Sequence, residues 1–158
     1  MIKVAIAQDS HRFETKDLTK PLVLGGVVIE NEVGLEGNSD ADVILHALTN
    51  AVSGITTVNI LGAKADELCL EKGIKDSRVY LEKSLEYLGD TKIVHVSFTV
   101  EALKPKLAKH IPRIRENVAG LLGISPSNVA ITATTGEGLT DFGRGLGMQV
   151  FVVITVDC

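Results

Sequence analysis

Alternation of apolar and polar residues picks out strands at the two ends of the chain and in its middle. Val4-Ala-Ile-Ala7 makes residues 2–7 a β-strand, Ile93 to Val100 alternates inside a strand from Lys92 to Ala102, and Met148 to Val156 is apolar enough for a buried final strand. Leu22-Val-Leu24 and Val27-Val-Ile29 flank Gly25-Gly26, a hairpin signal. Asn128 to Ala133 forms a further strand. Helical spacing appears in three places. From Ser39 to about Gly54 the apolar positions Val43, Leu45, Leu48, Val52 and Ile55 follow a loose 3.6-residue period, with Ser39 as the expected N-cap and Asp42 three residues inside. Asp76-Ser77 caps a helix to about Leu88, and Pro105-Lys106 opens another through about Leu122. Pro112 predicts a kink or a later start for that helix. Residues 59–75 lack periodicity and read as a loop, mobile or carrying a short helix.

These elements predict a single α/β (α+β) domain spanning 1–158, with a mixed β-sheet and helices packed on one face. The uncovered face calls for a partner. Composition narrows the picture. With 45% hydrophobic and 4% aromatic residues, Val, Ile, Leu and Ala must fill the core, and a net charge of −4 argues against a nucleic-acid partner. Cys69 and Cys158 form neither a disulfide framework nor a metal pair. No apolar run approaches membrane-spanning length, so the expectation is no membrane association and a cytoplasmic setting.

The chemistry concentrates at Asp9, His11 and His46. In an extended segment Asp9 and His11 point the same way, and His46 lies in the first turns of the first predicted helix. Two imidazoles and a carboxylate suit a divalent ion, zinc above all, with a coordination position left for substrate. Asp42 lies four residues before His46 on the same helical face. It orients His46, contacts substrate, or caps the helix.

Asp9-Ser-His11, Leu24-Gly-Gly-Val-Val-Ile29, Ser39-Asp-Ala-Asp-Val-Ile-Leu-His-Ala-Leu48, Asp76-Ser-Arg78, Pro105-Lys106, His110-Ile-Pro-Arg-Ile-Arg115, Ala133-Thr-Thr-Gly-Glu137, Gly143-Arg-Gly145 and Gly147 occur in one order over nearly the whole chain. In these segments the chain resembles the 2-C-methyl-D-erythritol 2,4-cyclodiphosphate synthases. The resemblance implies a homotrimer with active sites between subunits. It implies Zn2+ at Asp9, His11 and His46, and a second ion, Mg2+ or Mn2+, near Glu137 on the substrate diphosphate. It assigns catalytic roles to Thr135 and Asn38, and substrate contacts to Ser39, Asp42, Gly62, Ala102, Lys106, Leu107, Thr134 and Arg144. The implied activity is a CMP-releasing cyclisation of 4-diphosphocytidyl-2-C-methyl-D-erythritol 2-phosphate, a small nucleotide-linked substrate, in non-mevalonate isoprenoid biosynthesis. A diverged trimeric metalloenzyme on another diphosphate and a non-catalytic metal- and phosphate-binding paralogue share the same metal features.

The chain departs from the family in two places. Asn38 stands where the family has a His; it still donates a hydrogen bond but cannot move a proton. In Asn59-Ile-Leu-Gly-Ala-Lys-Ala-Asp-Glu-Leu-Cys69 only Gly62 is kept, Ile60 falls at a ribose-contacting Asp, and Glu67 replaces a carboxylate near the sugar alcohol. Leu139-Thr-Asp-Phe-Gly143 replaces the family's Leu-Gly-Phe-x-Gly.

Overall fold

The computed structural model describes residues 1–158. Six strands and four α-helices follow one another as β1 (Ile2–Arg12), β2 (Pro21–Leu24), β3 (Val27–Val33), α1 (Val43–Thr56), α2 (Ala63–Lys72), α3 (Ser77–Glu86), β4 (Lys92–Glu101), α4 (Ile111–Leu122), β5 (Val129–Thr134) and β6 (Gly147–Asp157). The main sheet has the order β1-β6-β4-β5. β6 pairs antiparallel with both β1 and β4, while β4 and β5 run parallel. β2 and β3 form a separate hairpin. No helix is long and apolar enough to cross a membrane.

The period of two decides which face is inside. Met148, Val150, Val152, Ile154 and Val156 of β6 are fully buried, whereas Phe151 and Val153 between them are 40% and 37% exposed. In β1, Ala5, Ala7, Asp9 and His11 turn toward the helices, while Val4 and Ile6 are open to solvent. α1 packs on β1 and β6, α4 on β5, and α3 on α1. The helices therefore sit on one face. On the other face Ile6 lies opposite Val153, and Gln8 opposite Phe151, so an apolar stripe crosses two strands.

The loose period of the first helix has a simple cause. Every residue of α1 from Val43 to Ser53 except Asn50 is buried, so the helix is enclosed on most sides and needs no polar face there. Its N-cap is Asp42, not Ser39. In the 59–75 stretch the short-helix alternative holds, as α2: Gly62 starts it without a side-chain cap, Gly73 ends it in the left-handed conformation, and only Ala65 and Cys69 are buried. Two buried positions four apart are too weak a signal to stand out in a polar stretch. α4 begins at Ile111 with Pro112 in its first turn, so Pro112 marks a late start and not a kink.

Candidate metal centre and active site

β1 runs past Ala7 to Arg12, and its alternation puts Asp9 and His11 on the helix-covered face. His46, one turn into α1, meets them there. His11 Nε2 lies 2.9 Å and His46 Nδ1 3.3 Å from Asp9 Oδ2, and the two ring nitrogens are 3.2 Å apart. His11 Nδ1 is 2.8 Å from the Glu36 carbonyl oxygen. That carbonyl only accepts, so His11 donates from Nδ1 and, when neutral, turns the Nε2 lone pair toward Asp9. His46 Nε2 is 2.8 Å from Ser77 Oγ and 3.4 Å from Ser39 Oγ.

Burial raises the Asp9 pKa, but the adjoining His11 and His46 outweigh it and hold the carboxyl down to about 2. Burial lowers the His11 pKa, and the Asp9 carboxylate with the Glu36 carbonyl reverses the sign. Asp9 Oδ2 is buried and has no hydrogen-bond donor of its own. A buried anionic oxygen beside two imidazole nitrogens, with all three ligand atoms within 4.8 Å of one another, is a fit for a divalent cation.

The triad opens into a cavity of about 320 Å³ that also takes in Asn38, Ser39, Gly62, Asp66, Cys69 and Tyr80. α2 forms its far wall. The Cys69 thiol donates to the Asn38 carbonyl at 3.0 Å and ties this wall to the 36–39 loop. Asp66, not Glu67, faces this cavity; Glu67 lies in a separate groove with Lys64, Lys83 and Tyr87. Ile60, at the family's ribose-contacting position, is 3% exposed in a small cluster with Ala65, Cys69 and Tyr80. Asp66 and Cys69 reach the cavity through the phase of α2 and Tyr80 through the packing of α3, neither of which the sequence pattern signals.

Asp42 is corrected. It is fully buried, and its Oδ1 accepts from Gly25 N at 2.9 Å and Leu45 N at 3.0 Å, while Oδ2 accepts from Gly26 N at 2.6 Å. Its carboxylate caps α1 and clamps the β2–β3 turn. Gly25 and Gly26 both need positive φ there, and a Cβ on Gly25 would meet Ile114 at 2.7 Å.

Ala102, Lys106, Leu107, Thr134 and Thr135 line a second, more apolar cavity of about 320 Å³. Ala102 and Leu107 are buried in its wall; Lys106, Thr134, Thr135 and Glu137 are exposed. Glu137 sits at φ 53° in the turn after β5. Arg144 lines neither cavity; it donates to Asp141 at 2.7 Å and to the Gly138 carbonyl at 3.3 Å. The two cavities share no residue. Asp9 is level with Val150, Val150 with Val100, and Val100 with Ala133. The two groups thus occupy opposite sheet edges, about 14 Å apart over three strand spacings.

The model of the YgbB family matches residues 2–157. The chain belongs to the YgbB family. Among relatives of this YgbB-family chain, the 2-C-methyl-D-erythritol 2,4-cyclodiphosphate synthase of Chlamydia muridarum is 52% identical over 155 residues, 98% of this chain and 87% of that protein. Among solved structures, the bifunctional IspDF of Campylobacter jejuni superposes with a TM-score of 0.88 at 26% identity, covering 99% of this chain and 42% of that one. IspF of Plasmodium falciparum in complex with CDP gives a TM-score of 0.80 at 26% identity, covering 98% and 95%.

Proposed function

We propose that this chain acts as a 2-C-methyl-D-erythritol 2,4-cyclodiphosphate synthase, a phosphorus–oxygen lyase of non-mevalonate isoprenoid biosynthesis. The observation that carries the reading is the orphaned Asp9 oxygen between His11 and His46 in a cavity, in a chain whose relatives bear that name. In the reaction an oxygen of the substrate's 2-phosphate bonds to the β-phosphorus, the bond from that phosphorus to the bridging oxygen breaks, and CMP leaves with the electron pair. The nucleophile belongs to the substrate, so the protein's task is to position the reacting groups and to neutralise charge.

Asp9, His11 and His46 would hold the zinc, and Glu137, a lone exposed carboxylate, suits a Mg2+ or Mn2+ that completes its shell with substrate phosphates. When bound, the two ions supply positive charge to the attacking and leaving oxygens. Lys106 gives a point charge to a phosphate. Thr135 Oγ1 accepts from Glu137 N at 3.4 Å, which leaves its hydroxyl proton for a phosphate oxygen. Thr134 offers a second hydroxyl. The apolar slot of Ala102 and Leu107 suits a flat pyrimidine, and the CDP bound by the Plasmodium relative supports cytosine as that base. Ser39, Gly62 and Asn38 line the cavity of the triad; Asn38 donates a hydrogen bond to a substrate phosphate and transfers no proton. Asp42 has no substrate role, and Arg144 braces its own loop.

The two cavities belong to different edges of one chain, so a full site takes the metal half from one subunit and the strand-end half from a neighbour. A homotrimer does this, joined through the open sheet face of Val4, Ile6, Phe151 and Val153. Incubation with the cytidyl substrate, followed by phosphorus NMR, tests the reading. CMP and the cyclic diphosphate should appear together. Zinc-loaded protein that releases no CMP would refute it.

A further inference from the structure

Ser77 is fully buried at the start of α3, against His46. Its hydroxyl has one proton and two neighbours. One neighbour is Asp40: the Ser77 hydroxyl donates to Asp40 Oδ1, and Ser77 N donates to Oδ2 of the same carboxylate at 3.1 Å. Asp42 N also donates to Asp40 Oδ1, at 3.1 Å. A carboxylate accepting three donors offers no proton of its own, so the serine proton is committed to it. The other neighbour is His46 Nε2 at 2.8 Å. With its proton committed, Ser77 Oγ can only accept from His46. The imidazole must therefore carry its proton on Nε2 and present a bare Nδ1, the atom that lies 3.3 Å from Asp9 Oδ2.

We propose that Asp40 and Ser77 are positioning residues that lock His46 in the Nε2–H tautomer and aim its Nδ1 lone pair into the metal site. The relay reaches across the fold. Asp40 lies in the loop before α1, Ser77 begins α3, and His46 is on α1, so the packing of α1 against α3 sets the ligand's orientation. Asp40 N, bonded to the Lys75 carbonyl at 2.9 Å, ties the loop to the segment just ahead of α3. His11 is ordered separately, by the Glu36 carbonyl. The two imidazoles thus reach Asp9 through opposite ring nitrogens, each with its other nitrogen anchored by an acceptor. Hydrogen-bonded partners of this kind support metal affinity by about 10–100-fold. The inference rests on the reading of Asp9, His11 and His46 as ligands, but the tautomer is observable without a metal.

The chain has four histidines, so selective ¹⁵N-histidine labelling gives a spectrum simple enough to assign. Long-range ¹H–¹⁵N correlation in zinc-free protein, in mildly alkaline buffer, should show His46 protonated on Nε2. In Ser77→Ala the preference should be lost to a mixture, and zinc affinity, measured by chelator competition, should fall by about 10–100-fold. Ser77→Thr, which keeps the hydroxyl, should recover most of both. Asp40→Asn, which leaves Ser77 in place but frees its proton, should also mix the tautomers, and it carries the test if Ser77→Ala fails to fold. Unchanged His95 and His110 signals report an intact fold. Wild-type His46 protonated on Nδ1, or Ser77→Ala with the wild-type tautomer and zinc affinity, would overturn the proposal. The expected tautomer in a wild-type chain that takes up no zinc would support the relay while removing the metal reading itself.

Discussion

The two edges of the sheet differ in how finished they are. At the β1 edge Asp9, His11 and His46 are mostly buried, and each imidazole is held by a residue distant in sequence. At the β5 edge Lys106, Thr134, Thr135 and Glu137 are exposed, and the side-chain hydrogen bonds of both threonines reach no further than two residues along the chain. Folding of one chain completes the first group. It leaves the second with free donors and a free carboxylate, which is how groups that meet a ligand or a neighbouring subunit look before they do so.

The sharpest way to break this comparison is to remove a ligand from the finished edge. His46→Ala should abolish stoichiometric zinc and lower turnover by about 10³-fold, since metal charge stabilisation is worth several kcal/mol. Full zinc occupancy in this variant, by elemental analysis, would end the ligand assignment.

Lys106→Ala tests the unfinished edge. Loss of one charge-assisted phosphate contact is worth about 1.5–3 kcal/mol, so kcat/KM should fall by about 10–100-fold with zinc content unchanged. Mixing this variant with His46→Ala, under conditions that exchange subunits, should restore part of the activity. Some mixed sites then draw an intact half from each chain. No recovery in verified mixed oligomers would place the whole site within one subunit.

The smallest effect on the site itself should come from Asp42, which sits four residues from His46 yet belongs to neither edge. Asp42→Ala deprives Gly25, Gly26 and Leu45 of their acceptor and removes the α1 cap, at a cost of about 2–4 kcal/mol in urea unfolding. Zinc affinity should stay within about twofold of wild type. Burial lifts the Asp42 pKa from 3.8 to about 6 against the pull of its three N–H donors. The folded chain then holds this proton more tightly than the unfolded one. Its contribution to stability is fullest below about pH 4 and is lost as pH rises through 6, a slope that the alanine variant should lack.

Local pattern made the strands legible: alternation in β4 and the Gly25-Gly26 turn between two apolar runs are properties of a few neighbouring residues. Asp9 and His11 were legible as a pair for the same reason, two residues apart on one strand. α2 was not, because only two of its residues are buried and its other positions read like a polar loop. Asp42 shows the limit best. Its spacing from His46 is correct for a shared helical face, but at the N-cap its carboxylate turns back to the backbone and to the β2–β3 turn.

By itself the sequence determined the strands, the helices other than α2, and which three side chains have metal-ligand chemistry, since period and residue type are local. Only the tertiary structure decided that Ser77 and Asp40 stand behind His46, that Asp66 and Cys69 wall the cavity, and that Lys106, Thr134 and Thr135 lie across the sheet from the triad. Those relations depend on the packing of α1 against α3 and on the strand order β1-β6-β4-β5, which bring together or separate residues tens of positions apart along the chain.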